Sequence, residues 1–281
     1  MIQEEFIFYK PCEPLQPYIR YYWIFKNNQP MNTLTFPIGC PQLIFHKKSP
    51  LYIPELKTTQ DTLTISGQVN FSSHLYSNGN TEMIVIVFHP HTMSAFLNVP
   101  TSLFYNQEVS GYNLDNRSLT ELAEQIFECE NNRYCIGLIE QWLLSQITIN
   151  LLHSSHTKGY NAIEQNLKRM ATVIKKINHA PKASVTELSS ISCLSKKQFE
   201  RLFNSLVGIN PKEYTLIVRF QKALELMQNH SDEITQAQIA YLSGYADQSH
   251  FIREFKKISG CTPTSLLKEC NPYSDLFTNP I

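Results

Sequence analysis

Arg201 and Arg253 are the side chains of this chain best suited by type to recognise a partner. A guanidinium presents a rigid fork of donors that fits the O6/N7 edge of guanine or the oxygens of a phosphate. Lys196, Lys197, Glu200 and Asn204 lie around the first arginine, and Gln248, Ser249, His250, Ile252, Lys256 and Lys257 lie around the second. At i, i+3, i+4 and i+7 spacing each set, His250 apart, forms the outer face of a helix. The opposite faces carry Phe199, Leu202, Phe203 and Leu206 in the first, and Phe251, Phe255 and Ile258 in the second. Donors on such a face suit the major groove of double-stranded DNA. An outward Ile252 fits a thymine methyl, and the lysines would add phosphate affinity without reading sequence. His250 has two readings, a backbone-phosphate contact or a local cap. Glu200 accepts only from donors such as cytosine N4 and repels phosphate, so its alternative role is to orient Arg201 or Lys197.

A second set would do different chemistry. His89 and His91 lie two apart and would share one face of a strand, where His46, His74 and Cys40 could complete a metal site. Pro90 interrupts that strand and no carboxylate follows at matching spacing, so neither a metal nor a cofactor is expected. Trp23, Phe36, Phe45 and Phe88 are candidates to line a pocket for a small effector, although most of them must also form core.

Both donor faces belong to a duplicated element. Phe203 to Pro211 reads F-N-S-L-V-G-I-N-P and Phe255 to Pro263 reads F-K-K-I-S-G-C-T-P, with Phe, Gly and Pro in register. Gly208 and Gly260 suit the left-handed position past a helix end, Asn210 and Thr262 suit N-caps, and Pro211 and Pro263 suit the first helical position. Upstream of each glycine lies a short helix, a tight turn and a second helix, a helix-turn-helix. Ser184/Glu187 and Thr235/Gln238 have capping-box spacing, and Ser195 can cap the second helix of the first copy. Leu188 matches Ile239 one position out of step with the match of Phe199 to Phe251, which implies one extra turn residue in the second copy.

On these residues the chain resembles the C-terminal DNA-binding domain of AraC/XylS-type transcription regulators, over about 163 to 269. The most specific stretch is I-A-Y-L-S-G-Y-A-D-Q-S-H-F-I-R-E-F-K-K-I-S-G-C-T-P, Ile239 to Pro263. Gly208 to Met227 looks like that family's bridging helix, in which Arg219 is expected to anchor packing. The resemblance implies seven helices and two recognition helices entering successive major-groove faces, about 34 Å apart. By position it implies Lys197, Glu200 and Arg201, then Gln248, Ser249, Ile252 and Arg253, as base readers. Cys193 stands where a small turn residue, often Gly, is usual. Ser189 replaces a usual Ala, and Leu267 stands where an Arg is common.

Charge divides the same way. Residues 158 to 281 hold 16 Lys or Arg against 11 Asp or Glu, whereas residues 1 to 157 hold 8 against 13, so a basic half follows an acidic one. The N-terminus has no apolar leader, no apolar run approaches a membrane span, and the seven cysteines lack C-x-x-C pairs. A cytoplasmic protein with free thiols is the expectation.

The N-terminal half has strand character at Tyr18 to Phe25, Thr33 to Phe36, Gln42 to His46, Thr62 to Ser66 and Glu82 to His89. In the first of these Tyr21, Trp23 and Phe25 share one face, with Tyr22 and Ile24 on the other. L-Q-P-Y-I-R-Y-Y-W, F-P-I-G-C-P-Q-L-I-F, I-S-G-Q and I-V-F-H-P-H resemble a poorly characterised sensor-type domain of some AraC-like regulators. Amphipathic helices follow, one from Ser118 to about Cys129 opened by a Ser118/Glu121 capping box, the other from Asn132 to Ile149.

The expected architecture is two-domain. A mixed β domain with helices, a cupin-like small barrel or sandwich, occupies 1–150 and regulates or dimerises. Residues 151–160 link it to an all-α domain at 161–270 with two helix-turn-helix motifs joined by a long helix, and 271–281 form a tail. The function expected is sequence-specific transcription regulation by an activator without enzyme activity. Its partners would be double-stranded DNA and RNA polymerase, with a small-molecule effector and a second copy of the chain as further partners. The alternatives for the N-terminal domain are a cupin-type metal enzyme and a ligand-free interaction module.

Overall fold

A computed structural model describes residues 5–154, 160–229 and 234–269. The N-terminal half is built on two antiparallel sheets. Six strands, β1 (Glu5–Tyr9), β2 (Ile19–Asn27), β4 (Gln42–His46), β7 (Leu63–Ser66), β9 (Thr81–Phe88) and β10 (Glu108–Ser110), pair in the order β1-β2-β9-β4-β7-β10. Four others, β3 (Met31–Thr35), β5 (Tyr52–Ile53), β6 (Thr58–Thr59) and β8 (Ser73–Ser77), pair in the order β3-β8-β5-β6.

The central strands explain the layering. Every residue of β9, T-E-M-I-V-I-V-F, is buried, so both faces of the larger sheet are covered. Ile84, Ile86 and Phe88 join Tyr22, Ile24, Leu43 and Phe45 in a core closed by α1 (Ser94–Leu97), α2 (Arg117–Glu128) and α3 (Asn132–Ser154). Met83, Val85 and Val87 face the other way with Tyr21, Trp23, Phe25 and Ile44, toward the smaller sheet. The expected split of Tyr21, Trp23 and Phe25 from Tyr22 and Ile24 is what the two clusters contain.

The expected capping box of α2 is not formed. Asn116 is the N-cap, accepting from Leu119 N, while Ser118 Oγ accepts a hydrogen bond from Trp142 Nε1 at 3.0 Å and Glu121 pairs with Arg117. Helix α3 also runs beyond the expected Ile149, to Ser154, so the first residues of the expected linker are helical. Residues 155–159 and the expected tail lie outside the described residues.

Among the described residues seven helices follow: α4 (Tyr160–His179), α5 (Val185–Ile191), α6 (Lys196–Val207), α7 (Pro211–Asn229), α8 (Gln236–Ser243), α9 (Gln248–Ser259) and α10 (Pro263–Glu269). They form two lobes on one helix. Phe199, Phe203 and Val207 of α6 pack with Met170, Val173 and Ile177 of α4 and with Tyr214 and Ile217 from the first half of α7. Phe251, Phe255 and Ile258 of α9 pack with Ile239, Tyr245 and Leu266 and with Phe220, Leu224 and Met227 from the second half of α7. Each buried aromatic contributes about 1.5 to 3 kcal/mol of transfer free energy, so the stripes that the sequence patterns are what hold the lobes. Among the described residues no helix is long and apolar enough to cross a membrane.

Candidate nucleic-acid interface

Helices α6 and α9 are set by local chemistry at both ends. Ser195 and Gln198 form a complete capping box at the start of α6, and Asp247 caps α9 by accepting from His250 N at 2.8 Å. Gly208 and Gly260 end the two helices at φ 94° and 77°. The preceding turns are equivalent as well. Leu194 N donates to Ser189 O, and Tyr245 N donates to Ala240 O, each reaching back across a left-handed residue, Cys193 at φ 54° and Gly244 at φ 89°. Three residues run from Cys193 to the cap Ser195 and four from Gly244 to the cap Asp247, so Ala246 is the extra turn residue. Of the other expected boxes, Thr235/Gln238 is complete, whereas Ser184 caps α5 alone because Glu187 turns to Lys176 Nζ at 2.8 Å.

On α6 the side chains of Lys196, Lys197, Glu200, Arg201 and Asn204 are all exposed, and Phe199 and Phe203 are buried behind them. On α9 Gln248, Ser249, Arg253, Lys256 and Lys257 are exposed. Arg201 and Arg253 have no hydrogen-bond or ion-pair partner among the described residues, which leaves both guanidinium forks available. Arg219 behaves in the opposite way. Its Nε and Nη2 donate to Pro181 O at 3.0 and 2.8 Å, Nη1 lies 3.6 Å from Glu254 Oε2, and the guanidinium sits over the Tyr245 ring. It therefore ties the α4–α5 loop of the first lobe to α9 of the second, the packing role expected for it.

Two α9 positions are less open than their spacing implies. Ile252 is half-buried and packs against the second-lobe core. His250 Nδ1 accepts from Ala246 N at 3.2 Å, which places the ring proton on Nε2, 3.0 Å from Glu254 Oε1. Both of its ring nitrogens are thus engaged locally, the capping alternative to a phosphate contact. The Asp247 cap and the Ala246 bond are what set this geometry, and D-x-x-H beside an extra turn residue was the sequence signal for it.

The N-terminal half reaches the same helices from behind. Ser72 N donates to Ile258 O near the end of α9 at 2.8 Å, and a Cβ placed on Gly208 at the end of α6 would lie 3.1 Å from Thr101 Cγ2 and 3.4 Å from Gln68 Cγ. Gln221 Nε2 donates to Pro37 O at 2.6 Å, and Tyr105 Oη donates to Glu213 Oε1 at 3.0 Å. Phe36 packs within the second-lobe cluster, its ring centroid 5.5 Å from that of Phe220.

A cavity of about 90 Å³ lies between the two sheets, lined by Tyr21, Trp23, Phe36, Ile44, Gln60 and Glu108 among others. Of the four aromatic residues expected at a pocket, Trp23 and Phe36 line it. Phe45 and Phe88 do not: they stand on the opposite pleat of β4 and β9 and are fully buried against the helices. The side chains expected as metal ligands disperse. His46 Nε2 bonds Gln60 Oε1 at 2.8 Å, His74 Nδ1 pairs with Glu55 at 2.6 Å, His89 Nε2 bonds Gln16 O at 3.0 Å, and Cys40 lies 3.8 Å from the Arg20 guanidinium. Burial holds His46 down at about 4 and His91 down at about 3, so both rings are neutral near pH 7. Among the described residues no three His, Cys, Asp or Glu side chains gather as a metal site would require. Glu108 had no sequence signal as a pocket residue. It is half-buried, and desolvation raises its carboxyl to about 7 against the lowering effect of hydrogen bonds from Gln60 and Ser66.

Comparison with known proteins finds separate matches in the two halves of the chain. Residues 7–110 match a family described as a domain of unknown function (DUF6597), and residues 188–269 match a family described as a helix-turn-helix domain. A probable transcriptional regulator, LumQ of Photobacterium leiognathi, is 36% identical over 37% of this chain and 36% of its own length. The uncharacterized HTH-type transcriptional regulator YidL of Escherichia coli K12 is 25% identical over 65% of this chain and 59% of its own length. The Msm operon regulatory protein of Streptococcus mutans serotype c is 26% identical over 60% and 56%. The chain thus spans less than two thirds of the length of each of these relatives. It carries a helix-turn-helix domain toward its C-terminus, behind an N-terminal DUF6597 domain.

Proposed function

We propose that the protein is a sequence-specific DNA-binding transcription regulator that reads two successive major-groove faces with α6 and α9. The observation that carries this reading is the pairing of Arg201 and Arg253, both exposed and without a partner among the described residues, on the outer faces of two helices held by one shared helix. Lys197, Glu200 and Arg201 read bases from α6, while Gln248, Ser249 and Arg253 read from α9 with Ile252 at the edge of the contact. Lys196, Asn204, Lys256 and Lys257 hold the phosphate backbone, and His250 supports the α9 turn. Because the two readers differ, the site they fit is asymmetric.

The N-terminal domain is regulatory in this reading, with a small molecule in the inter-sheet cavity. RNA polymerase as a partner, an activator's role and a cytoplasmic location follow the resemblance to AraC-type regulators. A second copy would pair through the outer face of α3, where Tyr134 and Ile149 are exposed.

Selection from a randomised duplex library with the full chain is the test. Two short boxes about one helical turn apart are expected. Arg201→Ala and Arg253→Ala should each cost about 1 to 3 kcal/mol and relax preference in different boxes. Unchanged preference in both variants would sink the assignment.

A further inference from the structure

The inter-sheet cavity shares a wall with the contacts to the recognition helices. Ser66, Gly67, Gln68, Val69 and Ser73 line the cavity, and the same segment supplies Gln68 against Gly208 of α6 and Ser72 to Ile258 of α9. One turn of chain therefore touches the ligand-sized space on one side and the ends of both readers on the other. A second strip, Phe36 to Cys40, also lines the cavity and donates Phe36 and Pro37 to contacts with α7.

The lining has one charged side chain among the described residues, Glu108. Its Oε1 accepts from Ser66 Oγ at 2.8 Å and its Oε2 from Gln60 Nε2 at 3.0 Å. Two of the lone-pair positions of the carboxylate are thereby used and the others remain for a further donor. Gln60 gives its Oε1 to His46 Nε2, so that ring proton points at Gln60 and the neutral ring brings no positive charge toward Glu108. Tyr21, Trp23, Ile44, Leu51, Met83 and Val85 form the aromatic and aliphatic part of the wall, and Thr35, Gln42 and Gln68 add neutral polar groups. An anion there would find no positive partner among the described lining residues and would favour protonated Glu108, whereas a cation would pair with the carboxylate that forms above pH about 7. An ammonium group would pair with Glu108 and gain further from aromatic faces. At about 90 Å³ the space is smaller than the cavity of about 150 Å³ that takes benzene, which points to a short chain.

We propose that this cavity binds a short-chain organic ammonium compound, its charge on Glu108 and its apolar body against Trp23 and Ile44, and that occupancy displaces segment 66–73 and so resets the ends of α6 and α9. This rests on the reading of the N-terminal domain as regulatory and supplies its ligand class and its route to the readers.

The test is calorimetric titration of the full chain at pH about 8, without DNA, with three molecules of matched size: ethylammonium, ethanol and acetate. Saturable binding of ethylammonium alone is expected, weakened at least about tenfold in Glu108→Gln and abolished in Ile44→Phe, which fills the space. Thermal unfolding confirms that each variant is folded. Hydrogen exchange on the ethylammonium complex should change at 66–73 and 255–260. Absence of ethylammonium binding to the wild type, equal binding to Glu108→Gln, binding of ethanol or acetate as tight as the cation, or a complex with unaltered exchange at both segments would each overturn the proposal. Neither readout uses DNA, so a chain that fails to bind any duplex leaves both results standing and refutes only the DNA-reading function.

Discussion

The first helix-turn-helix leaves α5 through Cys193 at φ 54°, and the second leaves α8 through Gly244 at φ 89°. The backbone path is shared, and the surroundings differ. Cys193 is exposed, so its Cβ costs only the strain of a left-handed residue. Gly244 is buried against the other lobe, where an added Cβ would lie 2.8 Å from Pro181 Cγ. The two copies also diverge at their caps, with the Ser195/Gln198 box in one and Asp247, Ala246 and His250 in the other. The first copy is therefore replaceable at its turn, whereas the second is fitted to the lobe beside it.

Substitutions at matched positions sharpen or break that contrast. Phe203→Ala and Phe255→Ala each empty the centre of a lobe, since both side chains are fully buried, and should each lose about 3 to 5 kcal/mol in denaturant unfolding. A large difference between them would mean that the lobes are not equivalent cores. Gly244→Ala should lose about 2 kcal/mol, combining backbone strain with the Pro181 contact. A neutral result there would remove the argument that the second turn is fitted to its neighbour. Asp247→Ala should cost about 1 kcal/mol, the value of an N-cap, and Ser195→Ala about the same. An Asp247 variant no less stable than the wild type would show that the His250 bond carries the turn without it. Cys193→Gly, which copies the second turn into the first, should gain about 0.5 kcal/mol, read as a higher thermal midpoint, because relief of strain exceeds the entropy that Gly adds to the unfolded chain. A loss of stability would mean that the cysteine side chain has a packing role.

Acid should weaken the N-terminal domain through His46 and His91. Their folded values lie below the ordinary value for histidine, so the unfolded chain binds protons first as pH falls through about 6.5. Stability is then lost progressively down to pH about 4 and about 3, respectively. Urea unfolding across that range should show the slope, reduced in His91→Gln.

The helical half was legible because caps, left-handed residues and apolar stripes recur there within short windows, and each is a local signal. Even the out-of-step register of the repeats was enough to require one extra turn residue, which the structure places at Ala246. The β half was legible only where strands are long and apolar: Gln42–His46 matches its expected bounds, whereas Ser73–Ser77 and Glu108–Ser110 were not anticipated. Those two are polar or short and are held by partners distant in sequence, Thr35 opposite Ser73 and Ser66 opposite Glu108. Alternation separated the faces of β2, but both faces of the large sheet are buried, so it could not tell a cavity wall from a core. Phe45 and Phe88 were misplaced for that reason. Ser118 was misread as a cap because its hydroxyl serves Trp142, a residue from another helix.

Helix α7 carries both lobes over 19 residues, a rod about 28 Å long. Its consequence is one of phase. A single residue inserted at its middle would advance one lobe by about 1.5 Å and rotate it by about 100° around the rod, swinging α9 out of its present alignment with α6. A change in loop length would leave that phase intact, whereas a change in the rod would not, and under the proposed DNA reading the rod fixes the number of base pairs between the two boxes.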